Sequence, residues 1–282
     1  MNHQDQKWTE TIESSHSLFD LKLGEVWRYK DLVYMFVKRD FVSGFKQTIL
    51  GPAWFFISPI FTTLVYLVVF GGIAKIPTDG IPQILFYLSG ITLWNYFSSC
   101  LLGTSSVFTS NAAIFGKVYF PRLVMPLTIV ISNLMKFGVQ FLLFFIAWIY
   151  YLAKGEIQPT IWILATPLLI LLMAAFALGT GMIFSSLTTK YRDLQMLLNF
   201  GVSLLMYATP VIYPLSVLSG VWKKLAVYNP LTGIFECFKY GWLGSGDFSP
   251  LLLVISSVII LIILAVGTLI FNKVEKGFMD TV

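Results

Sequence analysis

Residues 250–271 read PLLLVISSVIILIILAVGTLIF, a run without a single charge. A helix rises about 1.5 Å per residue, so about 20 such residues cross a hydrocarbon core of about 30 Å. Five more stretches of this kind lie upstream, at Gly51–Ala74, Ile84–Phe108, Val124–Leu152, Ile161–Leu187 and Leu194–Tyr213. Of the 282 residues, 57% are hydrophobic and 12% charged, and mean hydropathy is +0.79. A soluble domain of that size needs more polar surface to cover it. The expected fold is an all-α membrane protein with six transmembrane helices.

The basic residues set the expected orientation. With the N-terminus in the cytoplasm, thirteen of the 19 Lys and Arg fall on the inside and five on the outside, while Lys136 lies within a span. That bias puts both termini in the cytoplasm of a multi-pass inner-membrane protein. The net charge of +5 then reflects topology and anionic lipid, not nucleic acid. Residues 1–20 are polar, with no apolar core of a cleavable signal, and read as a cytoplasmic tail. Cys100 and Cys237 stand in different environments and read as small apolar fillers rather than a disulfide.

Several function classes lose support. The two histidines, His3 and His16, are both in the tail. There is no HExxH, no Cys/His spacing for a metal and no phosphate-cradling loop; Gly116-Lys117 runs into Val118 without the upstream glycine. A membrane-embedded glycosyl- or acyltransferase needs acids or histidines at a membrane face, and ATP, if used, must be bound by another chain. Ion-coupled carriers generally place acids near the midplane. These spans carry no Asp or Glu. Lys136 has two readings, a lysine turned to the bundle interior or snorkelling, and a group that holds an anionic substrate.

Residues 21–47 carry Val26, Tyr29, Val33, Phe36 and Val37 at helical spacing among Arg28, Lys30, Lys38 and Arg39. This is a basic amphipathic helix for the membrane interface, serving as a lipid anchor or as a docking surface for a soluble partner. Gly51-Pro52 ends it and turns the chain into the first span. Ala175 with Gly179, and Ala177 with Gly181, permit close helix approach, within one subunit or between two. Residues 214–249 are apolar yet broken by Pro214, Gly220, Pro230, Gly233, Gly241, Gly244 and Gly246. Two short helices re-entering the outer leaflet fit that pattern. Glu236, within it, reads as a capping or packing group rather than a catalyst.

The segment Lys46-Gln47-Thr48-Ile49-Leu50-Gly51-Pro52-Ala53-Trp54 resembles the start of the first span in ABC-2 type polysaccharide export permeases. The resemblance continues through residues 76–82 (IPTDGIP), 117–122 (KVYFPR), 191–193 (YRD), 209–214 (TPVIYP), Asn229-Pro230-Leu231 and the tail from Val274 to Asp280. Gly277 and Met279 depart mildly from the family ending, and Lys239 stands where arginine is commoner, keeping the charge but losing the planar fork. It runs colinearly over residues 20–282. It implies a type V exporter-like domain over 21–282 that moves a lipid-linked glycan such as O-antigen. Two copies of the permease would pair with two ATP-binding subunits, which hold ATP and Mg; the chain itself would bind no cofactor or metal.

The resemblance also implies roles for particular residues. Arg28, Lys38, Arg39, Lys117, Tyr119, Arg122, Tyr191, Arg192 and Asp193 would form the surface that couples to the ATPase. Pro214, Asn229, Pro230 and Glu236 would belong to a periplasmic gate. For the glycan path, aromatic faces that stack on sugar rings point to Trp94 and Phe97, three apart on one helix face, with Tyr66 and Tyr207. Tyr96 points elsewhere. The other reading of these rings is an interfacial aromatic belt, which accounts for most of the 46 aromatics. A permease for a drug or small lipid is the alternative within transport.

Overall fold

The computed structural model describes residues 23–278 apart from Phe45, Gln47, Gly116 and Tyr119, and among the described residues it is all-helical. The elements are α1 (Leu23–Arg28), α2 (Lys30–Ser43), α3 (Trp54–Tyr66), α4 (Gln83–Ser105), α5 (Val107–Phe115), α6 (Val124–Ala153), α7 (Thr166–Thr188), α8 (Leu194–Ala208), α9 (Gly220–Tyr228), α10 (Pro230–Leu243) and α11 (Pro250–Phe278). Five segments are long and apolar enough to cross a membrane: Gly51–Ile73, Gln83–Ser105, Val124–Ala153, Ile161–Thr188 and Pro250–Val274.

The expected fifth span, Leu194–Tyr213, is cut short. Its helix, α8, has 15 residues and ends at Ala208, after which Thr209 is extended. Pro210 is the cause: it lacks an N–H for the helix ladder and drives the preceding residue out of the α region. At about 22 Å, α8 falls short of the hydrocarbon thickness. The second expected span also ends early, because the chain breaks at Ser106 and Val107 begins α5. The single amphipathic helix expected over 21–47 is two, broken at Tyr29, with α2 ending at Ser43.

α4 is the axis of the bundle. It is buried on nearly every side, from Leu85 through Phe97 to Leu101, and packs against α6 and α7. α7 in turn lies along α11. Their crossing explains the small residues of α7: a Cβ on Gly267 would overlap the Gly179 carbonyl, and one on Gly179 would sit 2.7 Å from the Leu264 Cα. Gly181 faces Thr104 and Leu101 of α4. Both positions therefore serve packing within one chain.

At one end, called here the basic end, Val26 and the α2 ring Phe36 join Phe115, Phe120, Val124, Met182 and Phe271 in a separate apolar cluster. Phe108 stacks on Phe271 at 4.6 Å between centroids, and Phe36 lies 6.0 Å from Phe120. This binds α1, α2 and α5 to the starts or ends of α6, α7 and α11. The opposite, hairpin end is closed by α10, which is buried along most of its length.

Trp242 anchors α10. Its ring packs against Phe141, Phe144, Phe145 and Trp148 of α6, its indole N–H donates to Thr166 Oγ1 at 2.9 Å, and its carbonyl accepts from the Trp148 indole at 2.7 Å. Trp242→Phe keeps a ring but removes the indole donor to Thr166 Oγ1, whose hydroxyl still donates to the Ile163 carbonyl at 2.6 Å. A loss of about 1–2 kcal/mol is expected in reversible unfolding in detergent; an unchanged protein would show that this bond is idle.

Candidate functional site

Below the hairpin end, α8 and α9 leave a cavity of about 740 Å³ between them, floored by α7 and the start of α10. Its wall is aromatic: Phe176, Tyr207, Tyr213, Trp222 and Tyr228 line it, with Leu204, Leu225 and Asn229. Trp222 and Tyr228 are each about 70% exposed because α9 packs on the bundle only by the face that carries Ala226. Val221, Trp222, Leu225 and Tyr228 follow helical spacing and form its open apolar face. The Tyr213 hydroxyl donates to the Tyr207 carbonyl at 2.9 Å and holds the turn after α8 against the helix it leaves.

The residues first assigned to a glycan path separate. Tyr207 lines the cavity. Phe97 does not: it is fully buried and stacks on Phe176 at 5.3 Å, one layer behind the wall. Trp94 is buried beside it, 5.6 Å from Phe97 between centroids, so the pair shares a face as its spacing requires, but that face turns into the core. Tyr96 is buried against Phe137. The half-buried Tyr66 reaches α8 by donating to Met206 Sδ at 3.5 Å. Residues that the sequence reading passes over, Phe176, Tyr213, Trp222 and Tyr228, supply most of the aromatic wall.

Of Pro214, Asn229, Pro230 and Glu236, the middle two stand at the start of α10. Asn229 caps α10 by accepting from the Leu231 N–H at 3.0 Å, and Pro230 occupies the first turn, where no N–H is needed. The Asn229 amide also donates to Thr209 Oγ1 at 2.8 Å and to the Ala208 carbonyl at 3.3 Å. One side chain thus ties the start of α10 to the end of α8, at the rim of the cavity. Pro214 is buried in the connection between them.

Glu236 and Lys239, one turn apart on α10, are both buried, at 1% and 2% exposure. The Lys239 ammonium donates to the Pro210 carbonyl at 2.6 Å, lies over the Phe86 ring at 4.0 Å and stands 3.9 Å from Glu236 Oε1. Glu236 Oε2 accepts from the Asp247 N–H at 2.9 Å. The α3–α4 turn joins the same network: Ser216 donates to the Asp79 carboxylate at 2.8 Å and Ser245 to the Asp79 carbonyl at 2.9 Å. Lys223 pairs with Asp247 across the hairpin.

At the basic end, Arg28, Lys38, Arg39, Lys117, Tyr191, Arg192 and Asp193 are exposed. Arg39 bonds Asp40 and covers Phe36 at 4.6 Å, while Arg122 lies 5.7 Å from the Phe115 ring. Tyr119 lies outside the described residues. The 191–193 turn is held to α4 by Thr188, whose hydroxyl donates to the Ser105 carbonyl at 2.9 Å, and by Gln195 on Ser105 Oγ at 3.2 Å. Both cysteines are free and buried.

A bundle with five helical segments long and apolar enough to cross a membrane is a multi-pass membrane protein. The model of the ABC-2 type transporter family matches residues 31–243, and the chain belongs to that family. Members work with an ATP-binding partner, so this chain is a transport subunit rather than an enzyme. It is 29% identical over 255 residues to the O-antigen export system permease protein RfbA of Klebsiella pneumoniae, covering 89% of this chain and 94% of that one. A protein of the same name from Myxococcus xanthus is 27% identical over 76% of this chain and 81% of its own length. The inner membrane transport permease YadH of Escherichia coli is 23% identical, over 78% and 87%.

Proposed function

We propose that this chain is the permease subunit of an ATP-driven exporter that carries a lipid-linked polysaccharide, of the O-antigen kind, from the cytoplasm to the outer face of the inner membrane. The observation that carries the reading is the colinear similarity to O-antigen export permeases along 89% of the chain. The aromatic cavity supports it, because flat rings give a sugar chain stacking faces without charged groups to grip it.

In this reading both termini are cytoplasmic, the basic end docks on the ATP-binding subunit, and α9 and α10 re-enter the outer leaflet. Two copies enclose the conduit, since one chain encloses too little space for a glycan with its lipid headgroup, and closed two-fold pairing is the commonest oligomeric arrangement. ATP and Mg sit on the partner. Asn229 and its bond to Thr209 close the outer side until hydrolysis releases it.

The test is the ATPase of the purified complex of this chain with its ATP-binding partner. Lipid-linked polysaccharide is expected to raise the rate, and this chain alone to hydrolyse nothing, having no phosphate-binding loop. Stimulation by a drug or small lipid but not by the glycan would replace the polysaccharide reading with the alternative.

A further inference from the structure

Lys136 lies within the long apolar helix α6. It stands twelve residues into α6, about 18 Å from the helix start, and its four-carbon stem falls well short of that distance. α4 and α6 contain no Asp or Glu, and among the described residues no carboxylate lies within 4.0 Å of its ammonium. Around it amides gather: Nζ donates to Asn133 Oδ1 at 3.2 Å, and the Asn95 amide donates to Gln140 Oε1 at 3.3 Å. With Ser99 they line a cavity of about 40 Å³ between α4 and α6. That volume is little more than one water's share of the liquid, so it accepts a phosphoryl oxygen but no sugar ring.

About one turn further along α6, and two along α4, the lining changes character. A second cavity, about 230 Å³ and almost wholly apolar, lies between Leu64 of α3, Ile84 and Leu88 of α4, and Leu143 and Ala147 of α6. Ile84, Leu88, Asn95 and Ser99 fall on one stripe of α4, and Lys136, Gln140, Leu143 and Ala147 on one stripe of α6. The two cavities are separate spaces along one seam of the α4–α6 contact, the first cationic and amide-lined at mid-depth, the second apolar toward the hairpin end, with the buried Ile91 and Thr92 of α4 between Leu88 and Asn95. The buried Thr63 hydroxyl, without a hydrogen-bond partner, opens onto the apolar part.

We propose that this seam holds the exported lipid itself, with its phosphate on Lys136, Asn95 and Asn133 and its hydrocarbon chain in the groove between α3, α4 and α6. This rests on the exporter reading and adds to it a place for the lipid carrier. A phosphate supplies the missing counter-charge, and an ammonium with amide donors is suited to bind it. The polarity of the seam matches a lipid from the cytoplasmic leaflet whose headgroup has sunk to mid-membrane while its tail still points outward. The sugar chain then travels outside the seam, and the seam recognises only what every such conjugate shares.

The experiment uses the permease–ATPase complex in phosphatidylcholine nanodiscs, with a sugar-free long-chain polyprenyl phosphate as probe and native mass spectrometry to measure occupancy. Lys136→Gln is expected to weaken binding about tenfold and Lys136→Arg to restore most of it. Leu143→Trp, which leaves the cation in place and fills the groove, is expected to weaken binding as well. Phosphatidylglycerol at equal concentration should not displace the probe. Undiminished binding in Lys136→Gln, or equal competition by phosphatidylglycerol, overturns the proposal; the second result makes the seam a general anionic-lipid site. Thermal midpoints of the variants separate lost binding from lost folding. Because the probe carries no sugar, failure here leaves the polysaccharide reading to its own ATPase test, and failure there leaves this measurement standing.

Discussion

Lys239→Met is expected to destabilise the protein by about 3–5 kcal/mol, because it strands a buried carboxylate. Glu236 is 1% exposed, and its Oε1 has no hydrogen bond, only the lysine ammonium at 3.9 Å. Removing the ammonium also frees the Pro210 carbonyl that the lysine caps at 2.6 Å. Adding Glu236→Gln to the lysine variant should recover a large part of the loss, since the amide oxygen still accepts from the Asp247 N–H and no charge remains to be buried. Unfolding of the two single variants and the double in detergent gives the coupling directly. A loss below about 1 kcal/mol in Lys239→Met would show that water reaches this corner of the hairpin.

Arg192→Glu is expected to cut export more than tenfold while the protein inserts normally and its partner still hydrolyses ATP. The residue is exposed in a turn that two hydrogen bonds clamp to the end of α4 through Ser105. A force applied there would reach α4, the most buried of the five candidate spans. An arginine fork holds a partner carboxylate or carbonyl in fixed geometry, and a glutamate at the same place repels it. Arg122→Glu should act in the same direction with an added packing cost, since its guanidinium borders the Phe115 ring. Export and ATPase measured on the same vesicles read the uncoupling. Normal export from Arg192→Glu would reduce the turn to a topology marker.

The bundle is legible in the sequence because a lipid-facing helix needs only length and apolarity, and residues such as those of 250–271 offer both. What hydropathy hides is where such a run ends. Val211 and Ile212 are as apolar as the residues of α8, so an average carries the span through Pro210, although the proline itself marks the stop. Helical spacing places Trp94 and Phe97 on one face correctly, but it says nothing of which way that face turns when a helix is apolar all round, as α4 is. The cavity is harder still. Phe176, Tyr207, Tyr213 and Trp222 come from different segments, and only the fold brings them together. The seam at Lys136 is intermediate: the charge stands out in the sequence, while the amides of Asn95 and Gln140 facing each other do not.

α8 carries a further consequence for the bilayer itself. A 15-residue helix leaves about 8 Å of hydrocarbon unmatched along its length. Acyl chains beside it must compress, and such mismatch costs a fraction of a kcal/mol per Å. The exposed apolar residues of α9, just beyond the end of α8, take up part of that deficit. Where α8 faces lipid, the bilayer next to the aromatic cavity is expected to be thinner than around the longer helices, so that a polar headgroup crossing there would have less hydrocarbon to traverse.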